Sequence, residues 1–288
     1  MTISNNLFVK LKETLDKDDY TDINNLKNIC FDYDKTYLKL EIDYKLNRDE
    51  KNSDNLNHIN EFMLYEDNKL IGYIGIGSFG GDALEVNGMV HPDYRRKGIF
   101  TRLFSLVKDE FYKRKSNEML LLSDNNSTGG IAFIKSLNCE YHHSEYDMNL
   151  DMNVIHEIKF DDLVFRKVVC DDINKIAKAD FEFLNESDIE ELLLSPTYII
   201  KKDDALIGKT RLEINDNIGG IYGLEVLPEY RGKGYGRELL LLSIKELKEK
   251  NVEIITLQVE TSNKNALNLY KTCGFKENYT MDYYRITK

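Results

Sequence analysis

Tryptophan is absent from the 288 residues, and proline occurs only at Pro92, Pro196 and Pro228. With so little proline and 17 glycines, the chain is neither collagen-like nor a proline-rich disordered segment. No stretch approaches the ~18 consecutive apolar residues of a membrane span. The N-terminus, MTISNNLFVKLKETLDKDDY, lacks the apolar run of a secretory signal, so the expectation is a cytoplasmic protein with no membrane partner. Cysteine is sparse and scattered. Cys30, Cys139, Cys170 and Cys273 form no CxxC pair and read as reduced thiols packed as small buried hydrophobes, not as a disulfide framework or a metal site. Basic charge is in deficit: 39 Lys and Arg against 50 Asp and Glu leave a net charge of -11. General nucleic-acid binding needs a basic face to displace counterions, so nucleic acid is not an expected partner. An acidic balance is compatible with an amine or other cationic substrate, although it speaks mainly to solubility.

The composition that remains, 42% hydrophobic and 31% charged, is that of a folded protein. The length allows one large domain or two ordinary ones. An internal repeat favours two. Leu70-Ile71-Gly72 recurs as Leu206-Ile207-Gly208, and Val90-His91-Pro92-Asp93-Tyr94-Arg95-Arg96-Lys97-Gly98 recurs as Val226-Leu227-Pro228-Glu229-Tyr230-Arg231-Gly232-Lys233-Gly234, both at an offset of 136. Leu103, Leu106, Glu110 and Lys135 keep that register with Leu239, Leu242, Glu246 and Lys271. The period is too long for a solenoid unit and suits a domain. Two copies are expected, 1–153 and 154–288.

The second copy mixes strands and helices. Leu163–Val169 alternates as a strand, and Asp171-Asp172 read as the cap of a helix carrying Ile173, Ile176 and Ala177. Tyr198–Ile200 and Ala205–Ile214 flank Lys201–Asp204 as a hairpin. Gly220–Leu227 is a strand. Glu238–Lys250 is an amphipathic helix with Leu239, Leu242 and Leu247 inward and its lysines and glutamates outward. Val252–Val259 is a β-branched strand, Asn263–Thr272 a helix stopped by Gly274, and Met281–Ile286 a last strand. The fold class is mixed α/β: two tandem domains, each a twisted, mostly antiparallel sheet flanked by helices.

Chemistry concentrates after the strand ending at Val226. Arg231-Gly232-Lys233-Gly234-Tyr235-Gly236 leads directly into a helix. Glycines there let successive N–H groups face one concavity, and the helix dipole favours an anion. Arg231 and Lys233 add charge, so the loop is a pyrophosphate cradle in physical terms. It is not a Walker A loop, because no Gly-Lys-Ser/Thr follows. A second run, from Gln258 to Phe275, leads from a strand into a helix bearing Tyr270.

Together the two segments resemble the GNAT superfamily of acyl-CoA-dependent N-acyltransferases. The family's phosphate loop, Gln/Arg-x-x-Gly-x-Gly/Ala, is matched by Arg231, Gly234 and Gly236; its later pattern, Asn-x-x-Ala-x-x-Leu-Tyr-x-x-x-Gly-Phe, is matched by Asn263, Ala266, Leu269, Tyr270, Gly274 and Phe275. The resemblance covers residues 160–288 well and 60–150 less well, and tandem members exist in the superfamily. It implies acetyl-CoA as co-substrate, no metal, and a small-molecule or peptide amine as acceptor, in a monomer or homodimer. It also implies that Arg231, Gly232, Lys233, Gly234, Tyr235, Gly236 and Arg237 hold the pyrophosphate. Leu224 and Val226 would meet the pantetheine arm and the oxyanion, and Asn263 and Ala266 would flank that arm. Tyr270 would protonate the departing thiolate.

Departures from the family pattern concern the base. Members that place a glutamate early in the strand before the loop do so near Gly220, and others use the next strand, which has Gln258. Glu225 and Glu260 are the nearest carboxylates and the candidates here. In the first copy Val90, Arg95, Arg96, Lys97, Gly98, Ile99 and Phe100 correspond to the loop. Arg96 and Phe100 replace glycines, Ile134 replaces Tyr270, Ser127 replaces Asn263, and Asn138 replaces Gly274. Coenzyme binding survives those changes more readily than catalysis, and Glu85 is a weak base candidate. A competing reading is an acyl-CoA-binding or sensing protein without turnover. Gly75–Gly80 fits GxGxxG but reads as a glycine-rich hairpin, since a strand and not a helix follows. His142-His143 read as loop histidines. The variable segments 30–65 and 180–200 are expected to shape the acceptor pocket.

Overall fold

The computed structural model describes residues 6–47, 58–78, 83–155, 157–179 and 196–288. They fall into two compact units, one of Met1–Ser144 with Tyr279–Lys288 and one of Glu145–Asn278. The first half of the chain runs β1 (Leu7–Lys12), α1 (Lys17–Asp34), α2 (Ile42–Asn47), β2 (Glu61–Glu66), β3 (Lys69–Gly77), β4 (Leu84–Val90), α3 (Ile99–Lys113), β5 (Glu118–Asp124), α4 (Thr128–Ser136) and β6 (Glu140–Leu150). The second half runs β7 (Leu163–Lys167), α5 (Ile173–Lys178), β8 (Thr197–Lys202), β9 (Ala205–Asn215), β10 (Ile218–Val226), α6 (Tyr235–Glu249), β11 (Ile254–Glu260), α7 (Lys264–Thr272) and β12 (Phe275–Thr287).

Each unit is built on a mostly antiparallel sheet. The order is β1-β2-β3-β4-β5-β12 in the first unit and β6-β11-β10-β9-β8-β7 in the second. Among the described residues the parallel pair in each is β4 with β5 and β10 with β11. The outermost partner of that pair comes from the other sequence copy. Met281–Thr287 of β12 pair with Asp124–Glu118 of β5, and Glu145–Asn149 of β6 pair with Glu260–Thr256 of β11. The terminal strand of each repeat is therefore exchanged, which no hydropathy pattern can announce, because an exchanged strand has the same alternation as a local one.

Packing follows the apolar stripes. Leu240, Leu241, Ile244 and Leu247 of α6 and Leu267 and Tyr270 of α7 bury against Leu212, Ile221, Ile255 and Leu257 of the sheet. Burial of each large aliphatic side chain contributes on the order of 1.5–3 kcal/mol, an upper estimate when the unfolded chain is taken as extended. In the first unit Leu103, Phe104, Val107 and Phe111 of α3 pack likewise on Ile71, Ile74, Val86 and Leu121. Helix α1 is opened by a capping box between Asp16 and Asp19.

Several sequence expectations need correction. Glu238 of α6 is not outward: it is 1% exposed, and its Oε2 accepts the Lys159 N–H at 2.8 Å. Asp172 does not cap α5 with its side chain; its carboxylate takes Arg166 Nη1 and Nη2 at 2.6 and 2.8 Å and the Val169 N–H at 3.0 Å. A bidentate guanidinium outcompetes the cap. Cys30 and Cys273 are buried, but Cys170 is exposed. His142 and His143 lie on β6 rather than in a loop, with the His143 ring stacked on Tyr283 at 4.2 Å. Gly75–Gly77 end β3, and a strand follows, as expected for a hairpin; residues 79–82 lie outside the described residues, as do 48–57 and 180–195. Among the described residues no helix is long and apolar enough to cross a membrane, and no three His, Cys, Asp or Glu cluster as metal ligands.

Candidate active site

The site of the second unit begins where two strands part. β10 and β11 pair only from Ile218 with Ile254 to Ile221 with Leu257. β10 then bulges between Tyr222 and Glu225, with Gly223 at a φ of 53°, a left-handed conformation that suits glycine. After the bulge the Leu227 N–H donates to Ile207 O at 2.9 Å, toward β9. Alternation along the strand turns the Leu224 and Val226 N–H groups to the opposite, opened side. Neither residue pairs with β11 among the described residues. Two such donors on a parted strand are what an extended amide-containing arm needs in order to add as a strand.

The loop beyond Val226 is locked from within. Arg231 Nε donates to Val226 O at 2.8 Å, and Lys233 Nζ donates to Glu229 O at 2.8 Å. Gly232 and Gly234 sit at φ values of 75° and 90°. Gly234 opens α6 without a side-chain cap, so the first helical amides face outward unpaired and favour an anion. A Cβ at Gly236 would meet Leu269 and Val226 only at ordinary contact, 3.7 and 3.8 Å; at this position glycine leaves the approach open and relieves no clash. Arg237 turns its Nη1 onto Cys273 Sγ at 3.1 Å. Tyr235 stacks on Phe160, which also lies 3.6 Å from the Cβ position of Gly234. Phe160 lies ahead of the residues matched between the two copies and carries no motif, so the sequence does not single it out.

Tyr270 stands on α7 in the core of the same unit, 9% exposed, its ring edge-on to Phe275. Burial pushes its phenol up to about 12, so it is a neutral donor at physiological pH. Asn263 caps α7, with its Oδ1 accepting the Ala266 N–H at 3.1 Å, which fixes the helix end beside the parted strands. The two carboxylates suggested by sequence are differently placed. Glu225 is held by Lys209 at 3.2 Å, with Arg231 Nη2 at 3.9 Å. Glu260, exposed at the end of β11, accepts the Ser262 hydroxyl.

The first unit repeats this architecture closely. β4 and β5 pair only from Leu84 with Met119 to Val86 with Leu121. Arg95 Nε donates to Val90 O at 3.0 Å and Lys97 Nζ to Asp93 O at 3.0 Å, bond for bond as in the second unit. Gly98 has a φ of 77° and Arg96 a φ of 62°. Arg96 therefore keeps the left-handed turn despite its side chain, at a cost of roughly 1–2 kcal/mol. A cleft of about 790 Å³ opens between Val86–Val90, the loop and the start of α4. Ile99 packs over Gly72, and Phe100 sets its ring edge-on to Phe133 at 4.7 Å. Ser127 caps α4 as Asn263 caps α7.

Two features of this first site were invisible in sequence. The Gly88 N–H, which points to the opened side of β4, is taken by Asn87 Oδ1 at 2.7 Å, while Val90, like Gly88, is not paired with β5 among the described residues. Arg95 is clamped by both oxygens of Asp34 at 2.8 and 2.6 Å, which spends its charge on α1. Ile134, at the position of Tyr270, is 4% exposed and has no proton to give.

The model of the acetyltransferase (GNAT) family matches the chain twice, over residues 21–138 and 168–275. Among curated proteins, a mycothiol acetyltransferase of Thermomonospora curvata is 34% identical over 86 residues, 30% of this chain and 29% of that protein. An N-alpha-acetyltransferase of Sulfurisphaera tokodaii is 43% identical over 67 residues, 23% of this chain and 40% of that protein. The chain thus spans less than half the length of either relative. Among solved structures, a GCN5-related N-acetyltransferase from Sphaerobacter thermophilus has a TM-score of 0.77 at 15% identity, over 98% of this chain and 95% of that one. A tandem GNAT protein from the clavulanic acid biosynthesis pathway has a TM-score of 0.77 at 12% identity, over 98% of both chains. Identities this low speak to fold alone.

Proposed function

We propose that this chain, which belongs to the acetyltransferase (GNAT) family, transfers the acetyl group of acetyl-CoA to a primary amine at the second unit, by direct attack in a ternary complex. The observation that carries the reading is the meeting, in one unit, of two strand amides not paired with β11, an uncapped glycine-rich helix start and a buried neutral phenol. The loop amides from Gly232 to Gly236 hold the pyrophosphate, with Lys233 near. The Leu224 and Val226 amides take the pantetheine arm and the carbonyl oxygen that becomes negative as the amine adds. Donors aimed at a developing oxyanion are worth about 10²–10³ in rate. Tyr270 donates its proton to the leaving thiolate. Glu225 and Glu260 remain the carboxylates proposed to receive the amine proton, directly or through water. The acceptor is a small-molecule or peptide amine.

A second reading applies to the first unit alone. There the loop and the cleft support coenzyme binding by Val90, Arg95, Arg96, Lys97, Gly98, Ile99 and Phe100. The Asn87 side chain on the Gly88 amide and the absence of a proton donor at Ile134 favour binding without turnover.

The reading is tested by thiol release from acetyl-CoA against a broad amine panel, with calorimetry for the coenzyme. At least one amine supports release, and Tyr270→Phe lowers kcat by about 100-fold or more while coenzyme affinity stays within about threefold. Equal kcat in the variant removes Tyr270 from the chemistry. No heat with acetyl-CoA contradicts the whole reading.

A further inference from the structure

The face of the second unit's sheet turned away from α6 and α7 carries a side-chain cluster with a defined chemistry. Leu212 and Ile221 point into the core beneath those two helices. Alternation therefore sends Arg211, Glu213 and Tyr222 to the other face. The phosphate loop leads into α6 and Tyr270 stands on α7, so the coenzyme site proposed above draws on the helices of that face. An acceptor reaches the thioester from the face that bears Arg211 and Tyr222.

Arg211 and Tyr222 are direct cross-strand partners, as are Glu213 and Gly220. The Tyr222 ring folds back over Gly220: a Cβ there would lie 2.4 Å from Tyr222 Cε2 and 2.6 Å from its hydroxyl oxygen. A side chain at 220 would therefore displace the Tyr222 ring from this position. The Arg211 guanidinium lies over the Tyr222 ring at 5.3 Å, and its Nε is 2.9 Å from Glu213 Oε1. Stacking on Tyr222 orients the guanidinium, and its Nε pairs with Glu213 by charge without the geometry of a hydrogen bond. Its Nη1 and Nη2 have no partner among the described residues, and the side chain is 41% exposed. An oriented planar fork with two free donors matches a carboxylate, which accepts two parallel N–H bonds. The neighbouring cation, Lys209, is taken up by Glu225.

We propose that the acceptor is an amine that also carries a carboxylate, and that Arg211, set by Tyr222, is the specificity residue that holds this carboxylate. The proposal rests on the acyl-transfer reading above for the direction of approach. It commits to the chemistry of an amino acid or a similar amino carboxylate, narrower than the amine or other cationic substrate with which the acidic balance is compatible.

The test compares each standard α-amino acid with its α-carboxamide, in thiol release from acetyl-CoA and in thermal shift of the acetyl-CoA-loaded full-length protein. At least one acid is expected to exceed its amide tenfold or more in kcat/KM. Arg211→Gln then raises KM for that acid tenfold or more, with kcat and the KM of the amide within about twofold. Arg211→Lys, which keeps the charge but not the fork, recovers only part of the loss. If nothing turns over, the acyl-transfer reading fails, and the thermal shift still decides the present one. A larger shift with acids than with amides, lost in Arg211→Gln, upholds it. Equal use or equal shifts by acids and amides, or equal losses for both in Arg211→Gln, overturn it. So does a preference for O-phosphoethanolamine over every amino acid.

Discussion

The two units share a loop whose internal bonds are the same even where two of its glycines, Gly232 and Gly236, are replaced by Arg96 and Phe100. Arg231 and Arg95 close the same bond onto Val226 and Val90, and the lysine two residues later bonds the same carbonyl position in each. They differ where a reaction would occur. The second unit leaves the Leu224 and Val226 amides open beside Tyr270; the first covers the Gly88 amide with Asn87 and has Ile134 in place of the phenol. Backbone conformation tolerated substitution because an arginine can be forced into a left-handed turn for about one or two kcal/mol. A missing proton donor has no comparable substitute. The first unit thus keeps the bonding of the loop but not the phenol.

That contrast can be broken by supplying what the first unit lacks. In a protein whose second site is silenced by Tyr270→Phe, adding Asn87→Ala and Ile134→Tyr is expected to raise thiol release about tenfold or more. No gain would place the difference elsewhere, with Phe100 the first suspect. Asn87→Ala alone has a smaller effect. It frees the Gly88 amide, and acetyl-CoA should tighten severalfold relative to CoA at the first unit in competition calorimetry, the worth of one hydrogen bond of ~1 kcal/mol. The smallest effect concerns the loop backbone. Gly232→Arg should destabilise the protein by about 1 kcal/mol, with Arg96→Gly neutral or slightly stabilising, as read from denaturant midpoints. A neutral Gly232→Arg would mean that the left-handed turn costs the chain nothing.

Much of this was legible in the sequence, because the decisive signals are local. The loop glycines, the Asn263 cap and the amphipathic α6 are all set by neighbours within a few residues. The register of the repeat, with its intact glycines in the second copy, by itself points to the loop after Val226. What was not legible depends on contacts distant in sequence. Glu238 looks like a surface glutamate on a helical wheel and is buried because Lys159, far along the chain, presents an amide to it. The exchange of β6 and β12 leaves alternation unchanged, so pattern alone assigns each strand to its own copy. Asp34, Asn87, Phe160 and Arg211 carry no motif; their roles come from geometry alone.

The central claim is that turnover belongs to the second unit while the first only binds. It is tested most directly by blocking one cleft at a time in the full-length protein and measuring thiol release from acetyl-CoA. Gly129 lines the first cleft, and a Cβ there meets nothing within 4 Å, so Gly129→Trp brings an indole to that cleft from an unobstructed Cβ. Gly236→Trp obstructs the proposed coenzyme approach in the second unit. The account predicts that Gly129→Trp keeps turnover within about threefold and that Gly236→Trp lowers it about 100-fold or more. Loss of turnover in Gly129→Trp with retention in Gly236→Trp would contradict it.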